Sequence, residues 1–148
     1  MLSLADVNKL VLQNFSEEWT FCPIIWDLHN THADVDKVLK SSEVKLVATP
    51  YVEFVSVEPL EIPVTLSMRR AMLTLNVLTA EPEGIGNKAS LDAMDAMTSI
   101  YTQKTLRLQK PETSDFVTLD FGEVEMGSSE LMAGKFVTLL STTCVTYF

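Results

Sequence analysis

The sequence is short of positive charge, of reactive side chains and of long apolar runs. Eleven Lys and Arg stand against twenty Asp and Glu, a formal net charge of −9. A surface that wraps nucleic acid depends on clustered cations that neutralise phosphates, so this balance argues against such a role. No apolar run approaches the roughly eighteen residues a bilayer span needs. The opening Met1-Leu2-Ser3-Leu4-Ala5-Asp6 has neither a basic flank nor an uninterrupted apolar stretch, so neither a signal peptide nor a membrane anchor is expected.

Cys22 and Cys144 are far apart and each sits in an apolar setting, which makes neither a disulfide framework nor a metal site. Buried free thiols in a reducing compartment are expected. His29 and His32, the only histidines, are three apart, and Asp27 and Asp34 complete an imaginable ligand set. That set lacks a firm helix to bring both imidazoles to one side, and a further thiolate or imidazole, so solvated loop histidines and no metal are expected.

What is present suits one globular domain spanning residues 1–148. A chain of this length buries roughly 70% of the surface its unfolded form exposes, and 47% hydrophobic with 21% charged residues is ordinary for a packed core. Leu4, Val7, Leu10, Val11 and Phe15 form a helical stripe, so a helix is expected over Leu4 to Phe15. Ser3 and Asp6 stand at capping-box spacing before it, with Leu2 placed to staple onto Val7. An irregular covering stretch with one short strand follows, carrying Trp19, Phe21, Ile24, Ile25 and Trp26 around Pro23; Thr31 to Leu39 suits one or two helical turns.

Strands are expected over Tyr51 to Glu58 and Ser67 to Thr79, separated by turns around Pro59 and Pro63. In the second, Ala71, Leu73, Leu75 and Val77 alternate with Met72, Thr74 and Asn76. A helix is expected over Asn87 to Tyr101, with Leu91, Met94, Met97 or Thr98, and Tyr101 as its inward stripe and with Ala93 and Ala96 permitting close packing. Three more strands are expected: Leu106 to Gln109, Phe116 to Glu125 and Lys135 to Tyr147. Val137, Leu139, Val145 and Tyr147 share one face of the last, and Gly127, Ser128, Ser129 and Gly134 lie in the loop before it. The order amounts to an α+β domain, a single mixed, mainly antiparallel sheet packed by two principal helices.

Motifs for chemistry are missing. Gly84-Ile85-Gly86-Asn87-Lys88-Ala89-Ser90 lies between a strand and a helix, but it lacks the spacing of a P-loop and the third glycine of a dinucleotide fingerprint. There is no Gly-x-Ser-x-Gly elbow, the thiols have no neighbouring base, and Glu17 and Glu18 point to different sides of a helix or a strand. No catalytic residue and no cofactor site emerges, which favours a binding or structural role. Arg69-Arg70 is the only basic pair; in a strand the two face opposite sides, which suits a solvated strand start whose charges limit edge pairing, or else one arginine that anchors a partner carboxylate. Between Pro111 and Gly134 stand Glu112, Asp115, Asp120, Glu123, Glu125 and Glu130 without a single Lys or Arg. A solvated hairpin face is the ordinary home of such a run.

Four segments carry a resemblance: the amphipathic opening helix; Pro23-Ile24-Ile25-Trp26 with the strand Pro50-Tyr51-Val52-Glu53-Phe54; the block Arg70 to Leu78 running through Gly84-Ile85-Gly86 into the Ala-rich helix; and the closing strand from Lys135-Phe136-Val137 to Val145-Thr146-Tyr147. In pattern and order over nearly the whole chain they resemble the tail terminator, or tail completion, proteins of long-tailed bacteriophages. The segment from Asp27 to Val44 is longer than the family's usual connection.

The resemblance implies a non-enzymatic structural protein of the virion, assembled in the host cytoplasm. It would form a ring, typically a hexamer, that caps the tail tube, stops its growth and joins the head connector. Its partners would be further copies of itself, the tail tube protein and the connector protein, with DNA passing through unbound. On that reading Ile85, Leu131, Met132, Arg69 and Arg70 are the candidate subunit contacts, and Asp120, Glu123 and Glu125 the candidate channel lining. The competing readings are a small-molecule-binding or enzymatic α+β domain, and another phage ring such as a head-completion protein.

Overall fold

The computed structural model describes residues 2–26, 32–41, 45–60, 68–82 and 88–148, with the backbone alone at 32–34 and 41. Helix α1 (Leu4–Glu18) opens on the expected cap. The Ser3 hydroxyl accepts from the Asp6 N–H and the Asp6 carboxylate accepts from the Ser3 N–H, which satisfies two otherwise orphaned donors. Leu2 and Val7 are both buried. Helix α2 (His32–Ser41) is longer than the one or two turns expected. Strands β1 (Val47–Pro59) and β2 (Arg69–Pro82), helix α3 (Lys88–Tyr101), and strands β3 (Thr105–Gln109), β4 (Phe116–Met126), β5 (Glu130–Met132) and β6 (Lys135–Tyr147) follow.

The six strands make one sheet in the order β1-β2-β6-β4-β3, with β5 added on β6, and all the paired strands are antiparallel. In place of the short strand expected after α1 there is one isolated parallel bridge, Ile24 to Ala48, and no strand between α1 and α2 among the described residues. β6 occupies the middle of the sheet, in register with β2 along its whole length. The structure is therefore an α+β fold with a mainly antiparallel sheet.

Register sorts the residues into two faces, because residues directly opposite on paired strands point the same way. Ala71, Leu73, Leu75, Val77 and Thr79 of β2 lie opposite Thr146, Cys144, Thr142, Leu140 and Thr138 of β6, and all ten are buried. α1 and α3 cover this face. Phe15, Trp19, Met97 and Tyr101 enter the core with it, and Phe15 stacks on Trp19 at 5.1 Å. Each large apolar side chain fully buried here contributes about 1.5–3 kcal/mol.

α3 differs from its expected phase. Ser90, Ala93, Met97 and Tyr101 face inward and Leu91 is 47% exposed. The small Ser90 and Ala93 let the helix approach the sheet closely, and the Ser90 hydroxyl meets the Thr79 hydroxyl at 3.3 Å. The stripe therefore runs through the small residues and leaves Leu91 outside.

Val137, Leu139, Val145 and Tyr147 do share one face of β6, and it is the opposite, more open one. α2 lies against this face at one end only: Lys135, which pairs with Pro82, reaches Asp36 of α2 at 3.0 Å. The loop expected between β4 and β6 contains β5, which pairs Met132 with Lys135 across Ala133 (φ 50°) and Gly134 (φ 77°). Two successive positive φ values are the signature of the tight hairpin turns whose twist matches that of the strands.

Candidate functional site

The groups that would make a catalytic or metal centre are spread through the fold. Cys22 and Cys144 are free and buried. Burial pushes the thiol pKa of Cys22 up to about 11 and that of Cys144 up to about 12, so neither is a thiolate at neutral pH. No group of three or more His, Cys, Asp or Glu is placed to hold a metal among the described residues. Asp27 and His29 lie outside them, as does the Gly84-Ile85-Gly86 loop with its candidate contact Ile85.

An open groove of about 750 Å³ runs beside α1, lined in part by Leu10, Leu12, Trp26, Lys110 and Pro111. Its acid, Asp6, is already bound in the α1 cap and paired with Lys110 at 3.3 Å. Within β2, Glu81 is completely buried with neither carboxylate oxygen in hydrogen-bond geometry. Burial pushes its pKa up, and the neighbouring Ser90 pulls it part of the way back. Among the described residues the Glu81 carboxylate has no hydrogen-bonded acid or base with which to exchange a proton.

The two arginines face opposite sides, as strand alternation requires. Arg69 turns to the core side. Its guanidinium donates to the Leu2 carbonyl at 3.0 Å and lies 4.7 Å from the centre of the Phe148 ring. Arg70 turns to the open face, where it meets Glu58 at 3.9 Å and retains a third of its side-chain surface. Packing thus gives Arg69 an internal role and leaves Arg70 available to a partner.

Leu131 and Met132 are 56% and 46% exposed on the β5–β6 hairpin. They sit on its two opposite faces, Leu131 opposite Phe136 and Met132 opposite Lys135. Asp120, Glu123 and Glu125 are all exposed on β4. Asp120 accepts from the Thr105 hydroxyl at 2.6 Å. The register shifts between Phe121 and Val124, so Gly122 and Glu123 form a bulge that keeps Phe121 and Val124 both turned inward and Glu123 outward. The sequence marked these acids but carried no signal for the bulge that orients them.

Sequence reasoning missed a second exposed group on the same face. Arg70, Tyr147, Thr118 and Arg107 stand side by side across β2, β6, β4 and β3. The Arg107 guanidinium lies 3.8 Å from the centre of the Phe116 ring, and Phe116 and Tyr147 are each 46% exposed.

Fold and surface together define a class, an α+β domain with a mainly antiparallel sheet, one face of which is largely free of helices among the described residues. No family model and no curated protein matches the chain. It is similar to a solved structure whose name states no function, at 14% identity and a TM-score of 0.55, over 95% of each chain. At that identity the likeness is one of fold alone. No helix among the described residues is long and apolar enough to cross a membrane.

Proposed function

We propose that the chain is a subunit of a homo-oligomeric ring of the phage tail-terminator type, non-catalytic, which caps the tail tube, stops its growth and presents a surface to the head connector. The observation that carries the reading is the β5–β6 hairpin, which holds Leu131 and Met132 in water on a tight turn. Two exposed apolar side chains on the opposite faces of a defined hairpin suit its insertion against another subunit. The sequence pattern over nearly the whole chain agrees with it.

In this role a ring, typically a hexamer, sits at the head-proximal end of the tail. Its partners are its own copies, the tube protein and the connector, and DNA passes through its opening. Asp120, Glu123 and Glu125 on the opening would repel phosphate, where a basic lining would trap it. The experiment is electron microscopy of growing tail tubes with and without the chain: tubes of limited length carrying a ring at one end are expected. Tubes that grow unchanged with bare ends would overturn the proposal.

A further inference from the structure

The row on the open face is out of character for this chain. Arg70, Tyr147, Thr118 and Arg107 are register neighbours on four adjacent strands, so the row spans about 14 Å at the usual strand spacing. Phe116 under Arg107 adds a second exposed aromatic. Two arginines and two aromatics held out to solvent on a rigid sheet are the side chains that dominate protein interfaces, because they bury large area and form directional charge-assisted bonds. They stand on a protein of net charge −9.

The opposite side carries a matching anomaly. Glu17 and Glu18 are exposed in the last turn of α1, which holds no basic residue. Carboxylates there oppose the helix dipole, whose C-terminal end favours cations. Two acids held against local preference on the helical side, and two arginines in one row on the sheet side, put patches of opposite charge on opposite sides of one molecule.

Resting on the ring reading, the geometry points to a head-to-tail contact between copies, in which the Arg70-Tyr147-Arg107-Phe116 row of one subunit docks the Glu17-Glu18 end of α1 on the next. Opposite, non-identical faces give a heterologous interface, which closes into a ring when its rotation divides the circle. Nucleic acid fits the row less well. Glu58 lies 3.9 Å from Arg70 and Asp120 stands two residues along β4 from Thr118, so acids interrupt the row and would repel a continuous run of phosphates laid along it. Glu125 and Glu130 lie toward the other end of the face and stay outside this contact.

The test is sedimentation of the full chain across concentration, alone and with tail tubes, for the wild type, R70E/R107E, E17K/E18K and the fourfold swap. Each pair alone should raise the concentration for half-assembly by about tenfold or more, with the subunit still folded and, for E17K/E18K, a melting temperature no lower than that of the wild type, and the fourfold swap should restore much of the loss. Should R70E/R107E fail to fold, R107E alone, exposed on a short edge strand, gives the same comparison. A wild type that assembles while the Arg or the Glu pair makes no difference overturns the contact and leaves the ring standing. A wild type that never associates, with or without tubes, overturns both. Binding of single-stranded DNA that R70E/R107E abolishes would assign the row to nucleic acid and overturn the contact.

Discussion

Arg69 and Phe148 hold each other three ways. The Arg69 N–H donates to the Phe148 carbonyl at 2.6 Å, the Phe148 N–H donates back at 2.9 Å, and the Arg69 guanidinium lies over the Phe148 ring. The same guanidinium holds the Leu2 carbonyl just before α1. The start of β2 thereby ties together the segment entering α1 and the segment leaving β6.

Removing Val145 to Phe148 should therefore cost several kcal/mol. Phe148 is buried and Thr146 is buried with its hydroxyl on the Thr118 carbonyl at 2.8 Å, whereas Tyr147 is half exposed and adds little. Replacing Phe148 with Ala alone should cost about 3–5 kcal/mol, the range for a buried aromatic. Urea unfolding of both variants measures this, and an unchanged midpoint would refute the role assigned to this end of the sheet.

Leu131 and Met132 changed together to Ser should leave the melting temperature nearly unchanged, because about half of each side chain is already exposed and neither belongs to the core. Assembly should weaken. Sedimentation of the variant beside the wild type decides the matter, and normal assembly would place the interface elsewhere.

Glu81 gives a pH dependence whose sign is fixed by its burial. Its folded pKa is raised above the ordinary carboxylate value, so the folded state holds a proton that the unfolded chain releases. Its contribution is fully present below the unfolded pKa of about 4.5 and is lost as pH rises through the folded value. Stability should fall over that window in the wild type, and Glu81→Gln should flatten the fall while remaining at least as stable at neutral pH. Chemical unfolding from pH 4 to 8, about this range, would show it; a variant with the same slope as the wild type would exonerate Glu81.

Replacing Asp120, Glu123 and Glu125 with Lys should leave the subunit folded, since all three are exposed. If they line the opening, DNA ejection from virions carrying the variant should slow, and added salt should relieve the block, because screening acts over about 8–10 Å near physiological ionic strength. A block that ignored salt would point to a distorted ring instead of an electrostatic trap.

The strands were legible where alternation is strict: β2 shows its buried side in Ala71, Leu73, Leu75 and Val77, and the bounds of β6 match expectation at both ends. Which side of β6 faces the core was harder to read. Its buried side is threonine-rich, and Thr138, Thr142 and Thr146 look less apolar than the Val137, Leu139 and Val145 they displace outward. Threonine is tolerated there because its methyl packs while its hydroxyl can bond a neighbouring strand, as Thr146 does to Thr118.

α3 misled for a similar reason, since close approach through Ser90 and Ala93 outweighs burial of Leu91. β5 was hidden by an Ala-Gly turn in place of the Asn-Gly or Asp-Gly that announces a tight hairpin. The candidate surface was half legible. Arg70, Leu131, Met132 and the β4 acids stood out as residue types, but the row from Arg70 to Arg107 exists only once four strands are in register.

The most direct measurement is the mass of the purified chain in solution across concentration, alone and mixed with tail tubes. A ring subunit should sediment as a closed assembly of about six chains of 16.5 kDa, or gather into one on tube ends. A chain that stays at 16.5 kDa at every concentration and never binds a tube end would contradict the account.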